Sequence, residues 1–330
     1  MNTVLAAGRF GFILWILFSC RVNLIRSDGC PVEFSYGNYM KFLDIDPKYV
    51  ETKYLPQFIK IKLYRKHVAG GRGTQLFLDR PDTWTNFDSD LVTHIIVHGF
   101  VAGAETSQVT RIRDAYLLSY DTNVITVDWS PFAGTDIESS DQYILAIAFM
   151  NDLVAPFLQR HIEYITGPNL NTSPSKIHLI GHSLGAHLMG IVSKKVKVDW
   201  VTGLDPASPG YSKEQTETRL TPQDAAFVEV IHTNIGEFGE EWACGTVDYY
   251  INNGGPVQPH SHPSDKQANH AYSFIVYSNA IEDSLVEGIK CPSEEVAMQG
   301  KCKEDSKARI GDRNAPPGVY SVKTTVPWFS

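Results

Sequence analysis

The sequence predicts an α/β fold, a mostly parallel central sheet flanked by helices, and three observations carry that prediction. Short apolar runs recur through the middle of the chain. Longer stretches with helical apolar spacing lie between them. One run enters its helix through a turn with a glycine two residues before and two residues after a serine. Strands alternating with helices are how a parallel sheet covered on both faces reads. The strand candidates are Thr93–Val97, Asn123–Val127, Lys176–Ile180, Trp200–Leu204 and Phe227–Ile231, apolar nearly throughout, as central strands are. Gln142–Ile165 and Leu184–Val196 read as helices from length and apolar spacing. The first part of the mature chain reads as antiparallel strands. The C-terminal stretch is turn-rich and ends in an edge strand at Val319–Val326.

Composition bounds the function class. The chain has 330 residues, 43% hydrophobic and 20% charged, within the range of ordinary globular proteins. A net charge of -8 gives no footprint for nucleic acid and argues against strong attraction to anionic membranes. Arg9 followed by the uncharged run Phe10–Cys20 reads as a secretory signal peptide, too short for a comfortable membrane span. Residues 1–27 are assigned to it, with cleavage between Ser19 and Ser27 because Arg21 and Arg26 interrupt the usual small-residue pattern. Residues 28–330 are read as one domain, since no internal repeat or long linker divides them. The expected location is therefore secreted and extracellular. Cys30, Cys244, Cys291 and Cys302 remain in the mature chain, an even number that allows three pairings. Cys291 and Cys302 close a short local loop and are expected to pair, leaving Cys30 with Cys244. Asn171-Thr172-Ser173 is a glycosylation sequon at Asn171 in a polar loop, in keeping with secretion.

The strongest chemical signal is Gly181-His182-Ser183-Leu184-Gly185, which follows one apolar run at once and opens an apolar helix. Strand, sharp turn and helix are the setting of a nucleophile elbow. The glycines fit that reading because the residues flanking a serine on so tight a turn crowd together. A helix-capping serine would account for Ser183 but not for both glycines. A hydroxyl nucleophile needs a base, and this architecture orders its triad as serine, acid, histidine. Asp205 stands at the end of the strand after the elbow helix, just before Pro206. His232, His260, His262 and His270 all follow it, and the place of His270 just ahead of the helical stretch Ala271–Ile281 favours it without excluding the others. An oxyanion hole needs two backbone N–H groups: Leu184 follows the serine, and His98-Gly99-Phe100 after an early strand presents Phe100.

Ile177–His187, Gly203-Leu204-Asp205-Pro206-Ala207, Val230-Ile231-His232-Thr233 and Asn253–Pro259 together resemble, in order, the landmarks of the pancreatic lipase family. The resemblance runs from about Leu63 to the C-terminus. It implies an α/β-hydrolase fold and a secreted carboxylic ester hydrolase acting on glycerolipids. Ser183, Asp205 and His270 would be its catalytic triad, and Phe100 and Leu184 its oxyanion hole. Tyr272 stands where the family usually carries an arginine. The chain ends before a C-terminal β-sandwich could fit, so no such domain and no colipase-type cofactor are expected. The family's calcium site looks damaged, with Thr221 in place of an aspartate although Asp224 remains; no metal and no other cofactor are expected. Ser261–Ala268 occupies the place of the disulfide-closed lid, short and without a large apolar residue, and the loop from Asn234 to Cys244 is also short. These truncations resemble the phospholipase A1 branch known from arthropods and other animals, and imply an open site working on lipid aggregates or membrane surfaces. A neutral triacylglycerol lipase is the alternative within the family. A non-catalytic yolk-type storage or lipid-binding protein is the alternative from another class.

Overall fold

Each of the apolar runs forms a strand, because a segment that is apolar on both sides finds burial only inside a covered sheet. The computed structural model describes residues 55–326 apart from 68–70, 72, 256, 260, 263, 284–285 and 304–305. The signal-peptide segment, Cys30 and His260 lie outside the described residues. The strands are β1 (Lys60–Tyr64), β2 (Thr74–Gln75), β3 (Thr93–Val97), β4 (Asn123–Asp128), β5 (Ile177–His182), β6 (Trp200–Leu204), β7 (Phe227–His232), β8 (Val247–Ile251), β9 (Glu287–Cys291), β10 (Lys307–Arg309) and β11 (Gly318–Val322). The helices are α1 (Leu55–Phe58), α2 (Ser107–Ser119), α3 (Ser140–Phe149), α4 (Ala155–Thr166), α5 (Leu184–Val196), α6 (Lys266–Asp283) and α7 (Glu294–Met298). No described helix is long and apolar enough to cross a membrane.

All the strands join one sheet in the order β10-β9-β11-β8-β7-β6-β5-β3-β4-β1-β2. From β4 to β11 every pairing is parallel. The margins, β1 with β2 and β4, and β9 with β10 and β11, are antiparallel. This is the mostly parallel α/β-hydrolase sheet that the sequence predicts. Alternate residues of each strand serve opposite faces. Ile95 and Val97 pack with Phe157 of α4 and Leu188 of α5, whereas Ile96 packs with Ile112 of α2 and Phe274 of α6.

The structure departs from the sequence reading in three places. The helix expected over Gln142–Ile165 is two helices joined by a π-turn at Met150–Val154. Pro156 lies in the first turn of α4, where it has no N–H to continue an unbroken helix, and the π-turn absorbs the misfit. The C-terminal strand ends at Val322 and is not an edge: β9 and β10 lie outside it, and short β10 closes that margin with Lys307 and Arg309. β8 was not expected. The lone polar Asp248 in Val247–Ile251 obscures its apolar character, yet the strand is wholly buried. Cys291 and Cys302 form the expected disulfide, and Cys30, the expected partner of Cys244, lies outside the described residues. Cys244 is buried in the core.

The disulfide ties the end of β9 to the segment leading to β10 across a sequence separation of 11 residues. Loop-closure entropy at that length is worth about 3 kcal/mol. The Cys291→Ser, Cys302→Ser double variant should therefore lose about 2–3 kcal/mol of stability, read from denaturant unfolding; an unchanged midpoint would mean that the β9–β10 margin is held without the bridge.

Candidate active site

The three candidate triad residues converge from separate elements at the C-terminal ends of the parallel strands, where ligands bind in open α/β sheets. Ser183 is the single residue between β5 and α5. Its backbone lies at φ 58°, ψ -124°, a conformation that L residues avoid, and its side chain makes no capping hydrogen bond to the helix. The hydroxyl is thus not spent on the helix end. A side chain at position 181 would place its Cβ 2.1 Å from the Gly185 carbonyl oxygen, and one at position 185 would come within 2.7 Å of the His98 oxygen. Both glycines are therefore demanded by close approach. Gly99 is a third: a Cβ there would lie 2.7 Å from that of Ser183.

Asp205 directly follows β6, again with positive φ (45°), and is fully buried. Its Oδ1 accepts the backbone N–H groups of Thr233 (2.8 Å) and Asn234 (3.2 Å), and its Oδ2 meets His270 Nδ1 at 2.5 Å. Its other neighbour is Gly239, where a Cβ would stand 2.5 Å from Oδ1. The short loop after β7 can wrap the carboxylate only because that position has no side chain. His270 lies in the second turn of α6, which begins at Lys266, earlier than the sequence implied. Its carbonyl oxygen accepts Ser273 Oγ (3.0 Å) and lies 3.2 Å from His182 Nε2. Nε2 of His270 has no hydrogen-bond partner among the described residues, and the ring lines the same cleft as Ser183.

The cleft has a volume of about 340 Å³. Phe100, Val101, Ile137, Tyr143, Ala207, Pro209 and Phe238 give it apolar walls. Among the described residues of the short segment Ser261–Ala268, only Gln267 reaches the lining. Phe100 borders the cleft, and Leu184 opens α5 directly after the serine, so both candidate oxyanion donors belong to the backbone around Ser183. Gln108 was not singled out from sequence. It reaches across from α2, where its Oε1 accepts the Gly99 N–H (3.2 Å) and lies 3.1 Å from His182 Nδ1. Burial first, then the neighbouring His270, holds His182 well below the usual histidine range, so it stays neutral. A Gln on an amphipathic helix carries no sequence signal of such a role.

The other described histidines singled out in the sequence lie elsewhere. His232 is buried, with Nε2 3.0 Å from Asp248 Oδ1 and Nδ1 3.2 Å from the Glu240 carbonyl. His262 is exposed and meets Ser264. His98 accepts the Trp129 N–H on Nε2 (3.1 Å) and stacks on that indole. Asn171 is exposed at the end of the α4 loop, with the positive φ that asparagine tolerates.

Two groups of residues bear on metal binding. Lys194 Nζ lies 2.7 Å from Asp224 Oδ2 and 2.8 Å from the Arg219 carbonyl, while the Thr221 hydroxyl donates to Asp224 Oδ1 at 2.6 Å. An ammonium already matches the carboxylate, so this donor set does not fit a calcium ion. His232, Cys244 and Asp248 gather potential ligand atoms within 4.8 Å of one another. Asp248 Oδ1 there also accepts the N–H groups of Cys244 and Gly245, which makes the cluster a clasp between β7 and the turn before β8.

A family model described as Lipase matches residues 43–313. Phospholipase A1 member A from Bos taurus is 34% identical over 229 residues, 66% of this chain and 48% of that protein. The protein of the same name from Rattus norvegicus is 35% identical over 231 residues, with the same shares covered. Pancreatic triacylglycerol lipase from Sus scrofa is 29% identical over 306 residues, 84% of this chain and 64% of that one. The chain thus spans about half the length of its phospholipase relatives.

Behind Asp205 lies a second buried carboxyl, Glu240, neither oxygen of which has a hydrogen-bond partner among the described residues. Burial pushes its pKa from 4.5 up to about 8; Arg219 opposes the shift and Asp205 adds to it. Between those two values the folded protein holds a proton that the unfolded chain releases, so this group's contribution to stability falls as pH rises through that window. Glu240→Gln should melt like the parent near pH 4.5 and at a higher temperature than the parent at pH 8; equal melting at both pH values would show that Glu240 ionises freely.

Proposed function

Because the chain belongs to the lipase family, we propose that it is a secreted serine hydrolase of glycerolipids, most in keeping with a phospholipase A1. The observation that carries this reading is the conjunction of Ser183 on a strained elbow, His270 with Nε2 unengaged in the same cleft, and Asp205 buried behind it. Ser183 Oγ attacks the ester carbonyl and its proton passes to His270 Nε2. Asp205 fixes the proton on Nδ1, so that Nε2 is the basic nitrogen, and steadies the imidazolium that forms. The N–H groups of Phe100 and Leu184 hold the oxyanion, with the N-terminal end of α5 adding favourable potential. His270 then protonates the departing alcohol. Water, activated by the same nitrogen, releases the fatty acid from the serine.

Two features favour a phospholipid over a triacylglycerol. Among the described residues, the segment in the lid position contributes only Gln267 to the cleft, which leaves the mouth open for a polar head group. Relatives 34–35% identical to the chain are named phospholipase A1 member A.

The test is hydrolysis of a phosphatidylcholine with distinguishable sn-1 and sn-2 chains beside a triacylglycerol. The parent should release the sn-1 chain, and Ser183→Ala should fall by at least about 10³-fold. Serine-dependent cleavage of triacylglycerol alone would replace the phospholipase reading with that of a neutral lipase. No serine-dependent release from either lipid would favour a storage or lipid-binding protein. With no covering lid among the described residues, activity on a short-chain ester should not rise steeply at its solubility limit, and a steep rise would contradict the open site.

A further inference from the structure

One carboxylate stands at the mouth of the cleft. Among the described residues lining the cleft, Glu138 is the one acidic side chain and none is a lysine or arginine, and the Glu138 side chain is exposed. Among the described residues no group bonds or pairs with its carboxylate. The loop bearing it is pinned rather than free. Gln142 Oε1 accepts the N–H groups of Thr135 (2.7 Å) and Asp136 (3.2 Å), Asp136 Oδ1 accepts the Glu138 N–H (3.1 Å), and Ser139 Oγ caps α3 through the Gln142 N–H.

No base offsets this charge nearby in the chain. From Asp114 to Gln159 the sequence has no lysine or arginine, while Asp136, Glu138 and Asp141 fall within six residues of one another in the chain. Across the cleft, Lys266 at the start of α6 is engaged by Glu237. A lipid held with its ester at Ser183 must leave its head group at this mouth, close to an unneutralised carboxylate. A phosphodiester placed there is repelled unless the same head group brings a cation to Glu138.

We propose that Glu138 is a specificity determinant that favours glycerophospholipids whose head group ends in an ammonium over those whose head group is anionic overall. This rests on the phospholipase reading. Selection of this kind acts through charge at a wet rim, so it weakens as salt shortens the screening length to about 8–10 Å and below.

The experiment compares kcat/KM for phosphatidylcholine and phosphatidylglycerol of identical chains. Each is carried at low mole fraction in nonionic detergent micelles, so that the surfaces differ little in charge. The parent should prefer phosphatidylcholine by about fivefold or more at low salt, with the preference shrinking at high salt. Glu138→Gln should lower the ratio and Glu138→Lys should invert it. Glu282→Lys, an equal charge change at the exposed far end of α6, should keep the parent ratio. A parent ratio at or below one, or a ratio that Glu138→Lys and Glu282→Lys change equally, overturns the assignment of Glu138 and leaves the phospholipase reading standing. Hydrolysis of neither phospholipid beside active triacylglycerol cleavage overturns both.

Discussion

The site is arranged around one buried carboxylate. Asp205 has no exposed surface and no lysine or arginine salt-bridge partner among the described residues, yet an acid in the interior is tolerated only if its oxygens are hydrogen-bonded. Two backbone amides from the end of β7 and the His270 imidazole meet that demand. The consequences spread outward. The loop after β7 must turn back over Asp205, which requires glycine at 239. α6 must begin early enough to bring His270 down onto the carboxylate. The neighbouring Glu240, pushed up to about 8 by burial, is protonated at neutral pH, so a second negative charge does not crowd the first.

The parallel sheet supplies the convergence. β3, β5, β6 and β7 are adjacent and run in the same direction, so the turns after them emerge side by side. Ser183 follows β5, Asp205 follows β6, the Gly99–Phe100 turn follows β3, and the amides that hold Asp205 follow β7. The fit is tight: the Ser183 N–H donates to the Leu204 carbonyl and the Asp205 N–H to that of Ile231. Each turn is thereby latched to the next strand. The strained backbone at Ser183 is sustained by these bonds and by the glycines that let the chain segments touch.

Much of this was legible in the sequence, and the limits have physical causes. Buried strands announce themselves as apolar runs, and the elbow does so through glycines that close packing demands. Asp205 was legible because the strand ends there. His270 was not separable from its rivals by residues alone: its α6 setting depends on where the helix starts, and Lys266–Asn269 is polar, so apolar spacing does not mark that turn. The resemblance to a family chose among them. Gln108 and Glu240 were missed because their roles arise from contacts between distant segments, across 74 residues from Gln108 to His182 and across the β6–β7 loops for Glu240. The break between α3 and α4 could have been read from Pro156. The parallel pairing of β11 with β8 could not, since nothing in either strand encodes which neighbour it takes.

The central claim is that Asp205, through His270, is what makes Ser183 reactive. The most direct measurement is the rate at which an active-site-directed fluorophosphonate modifies the parent and Asp205→Asn, with the modified residue located by peptide mass. The account predicts modification at Ser183, slowed by about 10³–10⁴-fold in Asp205→Asn because the imidazole loses its correct tautomer. An undiminished rate in that variant, or modification of a different serine, would contradict it.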